Sequence, residues 1–384
     1  MGKAYNLPQC LAIEDYRQCC DMVVNEAKNN DTVVAVYLMG GEWCLGVSDL
    51  DIIMVYKDKS IVKPVRSIWG LSGKADFILM HRHLSFFEKD FKDIYYIYPK
   101  KTTNLRLLWG RDVDPKDPIE KLSTEGIKSL GAFILFNILI NKLLLFPEMQ
   151  KKDLNVRKTI GELYSLRYTF DIIRTISDKT IGSVFTAKIQ EFRHQWFNIS
   201  IENNLTQLSQ LLAEGIDLVL ESVNILDEYL VANGFKFEDS DNAMFLNKKF
   251  HITFDNKWGK DNFLENFHKR MISKNISLTS KKIKNYSLLL PSSFIYFFWA
   301  YAMGEGEFSK SIKSHFHARL SAKISTPEIV NNHIEAMNKS FDSSVSTNGS
   351  FKTPFSFGFS LSKKNKTKVW LFEKLLHIMR RIGI

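Results

Sequence analysis

Two aspartates separated by a single residue, Asp49 and Asp51, are the side chains best placed in this sequence to do chemistry. They open an apolar run that ends at Tyr56 and is typical of a buried strand. Because alternate side chains of a strand share a face, both carboxylates are predicted to point the same way. Two carboxylates this close repel each other unless a divalent cation lies between them, and oxygen ligands suit magnesium. The pair therefore predicts a magnesium site.

A glycine pair precedes the aspartates. Gly40 and Gly41 follow another apolar run, residues 33–39, and carry no side chain that would block the approach of a phosphate. Ser48, directly before Asp49, adds a hydroxyl that can donate a hydrogen bond to the same group. We therefore expect Gly40, Gly41 and Ser48 to bind the phosphates of a nucleotide.

These features together resemble the signature of the nucleotidyltransferase superfamily, which has the DNA polymerase beta-like fold. The signature is a strand, a glycine pair, a loop, and Asp-x-Asp on the next strand. The segment from Glu42 to Ser48 gives a spacing similar to that of glutamine synthetase adenylyltransferases. The resemblance covers the chain as far as Pro115, and it implies that Asp49 and Asp51 bind metal.

The resemblance also implies a third catalytic carboxylate, on a strand beside the Asp-x-Asp strand. Residues 74–80 alternate as a strand does, and Asp76 is the only acidic residue between Asp58 and Glu88. We therefore assign Asp76 as the third metal ligand, with a part in deprotonating the acceptor hydroxyl. The alternative is a solvated aspartate at the end of a strand.

The activity implied by the resemblance is a magnesium-dependent transfer of a nucleoside monophosphate from a nucleoside triphosphate. The expected cofactor is Mg²⁺, and the expected co-substrate is ATP. The acceptor would be a hydroxyl or phosphate on a small molecule or a protein. Two alternatives stay open: a transferase acting on nucleic-acid ends, and a non-catalytic binding protein that keeps the fold.

The elements around these residues predict an α+β protein in three parts. A small mixed β-sheet forms the predicted catalytic domain at 1–118, a helical bundle forms the substrate domain at 119–234, and a basic domain of unknown role fills 235–384. The first part is predicted as a helix at 12–29, strands at 32–39, 49–56 and 74–80, a helix at 84–98, and a strand-like run at 107–113. Turn residues at 114–118 end it.

The second part is predicted to be a four-helix bundle. Residues 127–146 are nearly all apolar and long enough to cross a membrane, but Asn137, Asn141 and Lys142 interrupt them and favour a buried helix. Helical periodicity continues at 155–176, 183–197 and 205–231. We expect the bundle and the sheet to hold the acceptor between them.

The positive charge of the chain lies in its last part. Residues 1–120 hold 16 Lys+Arg and 17 Asp+Glu, a net of −1, and residues 121–234 hold 12 and 13, again −1. The remaining 24 and 12 give +12 to residues 235–384. This excess predicts contact with a polyanion or a membrane surface through 235–384. A cluster of four lysines (Lys363, Lys364, Lys366 and Lys368) precedes an amphipathic segment, 368–384, which either docks on the protein or lies on an anionic membrane.

The four cysteines indicate a reducing compartment. Cys10, Cys19, Cys20 and Cys44 show no zinc-ligand spacing, and the N-terminus lacks the apolar core of a signal peptide. The expected location is the cytoplasm, with the basic region as a route to the periphery of the membrane. The sequence leaves the oligomeric state open.

Overall fold

The fold is described from a computed structural model. It describes residues 3–41, 43–58, 73–80, 83–100, 103–151, 153–235, 242–246, 250–255, 286–297 and 327–346. Helices and small sheets mix along the chain, which confirms the α+β class.

A four-stranded mixed sheet lies at the centre of the N-terminal part. It is built from β2 (Val33–Met39), β3 (Asp51–Tyr56), β4 (Leu84–Phe87) and β5 (Leu105–Gly110), in the order β4-β3-β2-β5. β2 is antiparallel to both β3 and β5, whereas β4 is parallel to β3. The apolar runs at 33–39 and 51–56 form its two central strands, as their composition predicts.

Each face of this sheet is covered by helices. On one face, Leu50, Ile52 and Met54 pack with α1 (Ile13–Lys28), which presents Tyr16 and Val23. The alternate strand residues, which include Ala35, Tyr37, Ile53, Val55 and Leu84, belong to the core shared with the helical bundle. The alternation predicted for the strands is therefore confirmed, and both faces are buried.

Two predictions about the segment after β3 are wrong. Residues 74–80 are not a strand, because Gly73–Ile78 form a short helix, α2, with Asp76 in its first turn. A carboxylate there suits the positive end of a helix, and the consecutive burial of Phe77, Ile78 and Leu79 is not the alternation of a half-buried strand. The strand beside β3 is β4 instead.

The predicted helix at 84–98 is consequently broken into three pieces. β4 occupies its start, and two single helical turns follow, α3 (Glu88–Phe91) and α4 (Ile94–Ile97). Phe86, Phe91 and Ile94 are buried. Their spacing suits a helix, but backbone pairing with β3 decides the conformation of the first four residues.

The helical bundle occupies the predicted segments, but the stretch predicted as one helix, 155–176, is divided at Ser165, so the described bundle has five helices and not four. It contains α5 (Thr124–Lys151), α6 (Val156–Tyr164), α7 (Leu166–Ile176), α8 (Ser183–Gln195) and α9 (Ile201–Ala232). A two-residue parallel pair, β1 (Ala4–Tyr5) with β6 (Leu154–Asn155), ties the N-terminus to the start of α6. Asn233 caps the end of α9, and Gly234 follows in the left-handed region that favours glycine at the end of a helix.

α5 is a core helix. Within the described residues it is the one helix long and apolar enough to cross a membrane, and 72% of its most apolar window is buried inside the protein. Its Lys142 is buried as well, and the ammonium donates to the Glu162 carboxylate at 2.5 Å and to the Ser165 hydroxyl at 2.6 Å. Ser165 lies at the break between α6 and α7, so the lysine fixes that break to α5.

The described pieces of the last part pack back onto the first two. A second sheet has the order β7 (Asn242–Leu246), β8 (Phe250–Asp255) and β9 (Tyr286–Pro291). The buried segment that continues to residue 297 shares the bundle core. The lysine cluster and the amphipathic segment 368–384 lie outside the described residues.

A long helix near the end of the described chain joins that core. This helix, α10 (Glu328–Ser346), contacts β4, α3, α4 and α5. Ser343 donates a hydrogen bond of 2.6 Å to the buried Asp90 carboxylate. The residues of α10 therefore complete the core beside the first sheet, and the predicted boundaries at 118 and 234 remain a prediction.

Candidate functional site

Asp51 opens β3 and faces the helical bundle. It pairs with Met39 across the sheet, so Gly40 lies directly beyond that pair. Ile53 and Val55 share its face, and both pack into the core that includes the bundle. The negative charge of Asp51 also acts on the buried Tyr98 and on Tyr168 of α7, raising the pKa of both alongside the larger effect of burial.

Asp49 lies in the loop immediately before β3, so the strand begins two residues later than predicted. Its electrostatic neighbours differ from those of Asp51. Burial raises the pKa of Tyr16 to about 12, and the charge of Asp49 adds to that shift. The same charge opposes the lowering of the Arg157 pKa by burial. Asp49 is therefore held beside a buried arginine and a buried tyrosine.

The glycine pair forms an open turn at the end of β2. Gly40 has a φ of +111°, a left-handed conformation that favours glycine, and no atom of the described residues lies within 4 Å of a Cβ built at either Gly40 or Gly41. The N–H of Gly40 already donates to the carbonyl of Asn104 at 2.9 Å. The turn thus leaves room for a ligand, although the Gly40 amide is engaged within the fold.

The loop from Cys44 to Ser48 is a tight turn closed on itself. The backbone amide of Ser48 donates to the Cys44 carbonyl at 2.8 Å, and the Cys44 amide donates back to the Ser48 hydroxyl at 3.0 Å. Gly46 turns the chain with a φ of +74°. The hydroxyl of Tyr16 accepts from the Gly46 amide and donates to the Ser48 carbonyl at 2.8 Å. The loop is therefore fixed from the α1 side of the sheet.

Arg157 of α6 fixes the same loop from the bundle side. Its guanidinium is buried and donates to three carbonyls: Nε to Val47 at 3.2 Å, Nη2 to Ser48 at 3.0 Å and Nη1 to Phe77 at 2.7 Å. It also lies 3.6 Å from the centre of the Phe77 ring. One side chain thus joins the bundle to the Asp49 loop and to α2.

Arg193 of α8 makes a second connection. Its Nη2 donates to the Ser48 hydroxyl at 2.8 Å, while its backbone carbonyl accepts from the Cys44 thiol at 3.2 Å. The Ser48 oxygen thus accepts from both Arg193 and Cys44, and its own proton is the donor left for a ligand. Burial raises the pKa of the Cys44 thiol, which makes this cysteine a packed, protonated residue rather than a nucleophile.

Asp76 forms no three-residue metal group with the other two aspartates, and its assigned role as a metal ligand stays a prediction. It is exposed on α2, and the described parts of the chain contain no group of three or more His, Cys, Asp or Glu side chains arranged to hold a metal ion. The prediction that Asp76 lies on a strand beside β3 is wrong, because α2 replaces that strand. The roles assigned to Asp49, Asp51, Gly40, Gly41 and Ser48 stay predictions.

The donor set at this edge of the sheet still fits magnesium. Mg²⁺ in nucleotide sites commonly takes one or two carboxylates and completes its shell with water and substrate phosphates. Asp49 and Asp51 would supply those two carboxylates, next to a turn that leaves space for phosphates. A third protein carboxylate is not required by that chemistry.

Comparison of the chain with protein-family models, curated proteins and solved structures found no match.

Sequence reasoning missed the residues that hold the loop, although a signal for them exists. Arg193 follows Ile189 by four residues and precedes Trp196 by three, so it falls on the apolar stripe of α8. Arg157 likewise precedes Ile160 by three on the buried face of α6. A charged residue on an apolar stripe indicates a buried contact, and here each arginine finds its contacts in the Asp49 loop.

Proposed function

We propose that this chain is a magnesium-dependent nucleotidyltransferase that moves a nucleoside monophosphate from a triphosphate to a hydroxyl or phosphate acceptor on a small molecule or protein. The observation that carries the proposal is the placement of Asp51 at the start of β3, opposite Met39, with the open Gly40–Gly41 turn directly beyond. Asp49 lies two residues before it, in a loop held by Tyr16 and Arg157.

In this proposal each residue has a defined task. Asp49 and Asp51 would hold magnesium, which would offset the charge of the triphosphate. The glycine turn would let the β- and γ-phosphates approach the backbone, and the Ser48 hydroxyl would donate to one of them. The bundle helices close the other side of Asp51 and would exclude water from the acceptor.

The experiment is a transfer assay with each labelled triphosphate and magnesium, with and without cell extract. Label should appear on a small molecule or protein and depend on magnesium, and Asp49→Asn and Asp51→Asn should each abolish the transfer. Asp21→Asn, on the exposed face of α1, is the matched control and should retain activity. Near wild-type transfer by either loop variant would refute the assignment.

A second function, a non-catalytic nucleotide-binding protein, is favoured by one observation. Asp76, the residue assigned as the third ligand, is exposed on a helix and lies in no three-residue metal group of the described chain. Such a protein would bind a triphosphate with magnesium but label no acceptor in any extract. The same assay, paired with a binding measurement, separates the two functions.

The partners of residues 235–384 are proposed from charge alone. The +12 of this region is expected to bring the protein to a polyanion or an anionic membrane surface within the cytoplasm. Reversing Lys363, Lys364, Lys366 and Lys368 to glutamate should weaken binding to acidic vesicles or RNA at low salt. Unchanged binding would make the cluster a solubilising face only.

A further inference from the structure

Three arginines of the helical bundle form the wall beside the Asp49–Asp51 edge. Arg157 and Arg193 hydrogen-bond to the loop, and Arg167 of α7 lies close enough to Arg193 to lower its pKa further, after the larger effect of burial. In the parts of the chain that the structure describes, none of the three makes an ion pair with a carboxylate. Asp49 acts on Arg157 through its charge alone, so the wall carries three arginines with no ion pair among the described residues.

The three arginines are not equivalent. All three kinds of nitrogen of Arg157 donate to carbonyls, so its task is to join the loop to the bundle. Arg193 donates from one Nη to the Ser48 hydroxyl. Its Nε is buried and meets no hydrogen-bond acceptor in the described chain. Only 7% of Arg193 is exposed, and burying a charged donor without an acceptor is costly. A buried donor of this kind marks a place where an anion would be stabilised.

Tyr164 lies between Arg193 and Arg167. Its ring centre is 3.7 Å from the Arg193 Cζ and 3.6 Å from the Arg167 Cζ. Two guanidinium carbons this close to one ring cannot share a face without overlapping, so they lie on opposite faces. Arg167 also lies 4.2 Å from the Tyr168 ring centre and donates to the Tyr168 hydroxyl at 2.5 Å. The aromatic rings thus hold two like charges in fixed orientations.

Such an arrangement is costly in the absence of an anion. The two cations repel each other, and the rings compensate them only in part, by about 0.5–2 kcal/mol per contact in general. A phosphate offers oxygens to both guanidinium groups at once and relieves their repulsion. Arg167 is partly exposed, so an anion can reach it from solvent. The hydrogen bond from Arg193 to Ser48 places this wall beside the Asp49 loop.

We infer that Arg167 and Arg193, with Tyr164 between them, form a subsite that binds a phosphate group beside Asp49 and Asp51. The inference rests on the proposed function for its biological meaning, but the subsite itself is defined by the arginines. The phosphate has two sources: the terminal phosphates of the triphosphate, or a phosphate carried by the acceptor. The subsite would in either case select substrates that carry this group.

The test is calorimetric binding of inorganic phosphate and pyrophosphate to the full chain without magnesium. Arg167→Gln should weaken pyrophosphate binding by about tenfold or more, the usual consequence of losing a charge-assisted hydrogen bond. The matched control is Arg174→Gln on the same helix, because Arg174 is exposed and already paired with Asp171. Arg193→Lys keeps the charge and tests the guanidinium geometry without leaving the buried site empty.

The source of the phosphate is decided by repeating the titration with a saturating non-hydrolysable ATP analogue and magnesium. If the analogue displaces inorganic phosphate, the subsite takes the triphosphate. If phosphate still binds and still depends on Arg167, the subsite takes the acceptor. The inference would be overturned if neither Arg167→Gln nor Arg193→Lys changes the affinity for pyrophosphate or phosphate while thermal unfolding is also unchanged.

Failure of the subsite and failure of the proposed function give different results. Magnesium-dependent analogue binding that is lost in Asp51→Asn but unaffected by Arg167→Gln and Arg193→Lys would support the function and contradict the subsite. Pyrophosphate binding that depends on Arg167, in a protein that binds no triphosphate, would support the subsite and contradict the function.

Discussion

Gly46 is the residue on which the shape of the Asp49 loop depends most directly. A Cβ at this position would lie 1.8 Å from the carbonyl oxygen of Gln9, and its φ of +74° strains any other residue. The carbonyl of Gly46 also accepts the Gln9 amide at 3.2 Å, so the two segments cannot separate freely. We expect Gly46→Ala to lower the free energy of unfolding by about 2 kcal/mol or more.

Urea denaturation measures this effect, and Gly161→Ala is its control. Gly161 lies within α6, its φ is in the ordinary range, and no atom would contact an added Cβ. That substitution should instead stabilise the protein by about 0.5–1 kcal/mol. Equal effects of the two substitutions would contradict the close packing of the loop against Gln9.

Substitution of Asp76 tests whether the third carboxylate expected from the sequence signature takes part in metal binding in this fold. Because its side chain is exposed on α2, Asp76→Asn should leave magnesium-dependent nucleotide binding within about twofold of the wild type, as expected for a surface substitution. Fluorescence titration with a labelled triphosphate analogue measures the affinity. A loss comparable to that of Asp51→Asn would restore Asp76 to the site.

For single residues, the sequence predicts which residues lie at the candidate site but not the contacts that hold them in place. The alternation of β3 residues between the two faces of the sheet and the open turn at Gly40 follow from composition and spacing, and both are present. The turn at Gly46 is not foreseen, because its partner, Gln9, is distant in the sequence. The same holds for the Arg193 contact with Ser48, which spans 145 positions.

Arg157 connects α6 to the Asp49 loop and to α2, and its loss should lower the free energy of unfolding. Replacing it with glutamine would leave the buried carbonyls of Val47 and Phe77 without this donor, while the Ser48 carbonyl would keep the hydrogen bond from Tyr16. Since each such loss costs about 1–3 kcal/mol, we expect Arg157→Gln to reduce the free energy of unfolding by about 3 kcal/mol. Chemical denaturation is the measurement, and Arg174→Gln, an exposed arginine, should change stability by less than about 0.5 kcal/mol.

Hydrogen exchange then shows whether the loop and α2 depend on that arginine. The amides of Ser48 and Leu79 should exchange faster in Arg157→Gln, while those in the middle of α9 should keep their protection. Unchanged exchange in the loop would mean that Tyr16 and Arg193 hold it without Arg157.

The elements themselves were largely predictable, and the exceptions have a common cause. α1, β2 and the bundle helices follow from long, clear periodicities. The errors fall in residues 74–98, where short apolar runs suit either a strand or a helix. There, pairing of β4 with β3 decides the outcome, and no local pattern contains that information.

At the scale of the whole molecule, the protonation of His333 depends on the packing of α10 against α4 and α5. It is fully buried against Phe133 of α5, and its Nδ1 hydrogen-bonds to the Tyr96 carbonyl at 2.5 Å. Burial lowers the pKa of His333 to about 4. The unfolded chain therefore binds a proton between pH 6.5 and 4 that the folded chain does not.

It follows that stability is fully present above pH 6.5 and falls as the pH drops towards 4. This single group should remove about 2 kcal/mol of unfolding free energy between pH 7.5 and pH 5. His333→Gln should be less stable at pH 7.5 but lose correspondingly less on acidification, as denaturation at both pH values would show. His194→Gln, at an exposed position of α8, should keep the wild-type slope, and an identical slope in His333→Gln would contradict the docked arrangement.

Asp49 and Asp51 are proposed to bind a magnesium–triphosphate complex. The measurement is calorimetric titration with a non-hydrolysable ATP analogue. The wild type and Asp21→Asn should bind the analogue in the presence of magnesium, and at least tenfold more weakly in its absence. Magnesium should not strengthen binding to Asp51→Asn, because the loss of a metal ligand typically lowers affinity tenfold or more. Circular dichroism should show that all three proteins remain folded. Magnesium-enhanced binding of equal strength in Asp51→Asn would contradict the assignment.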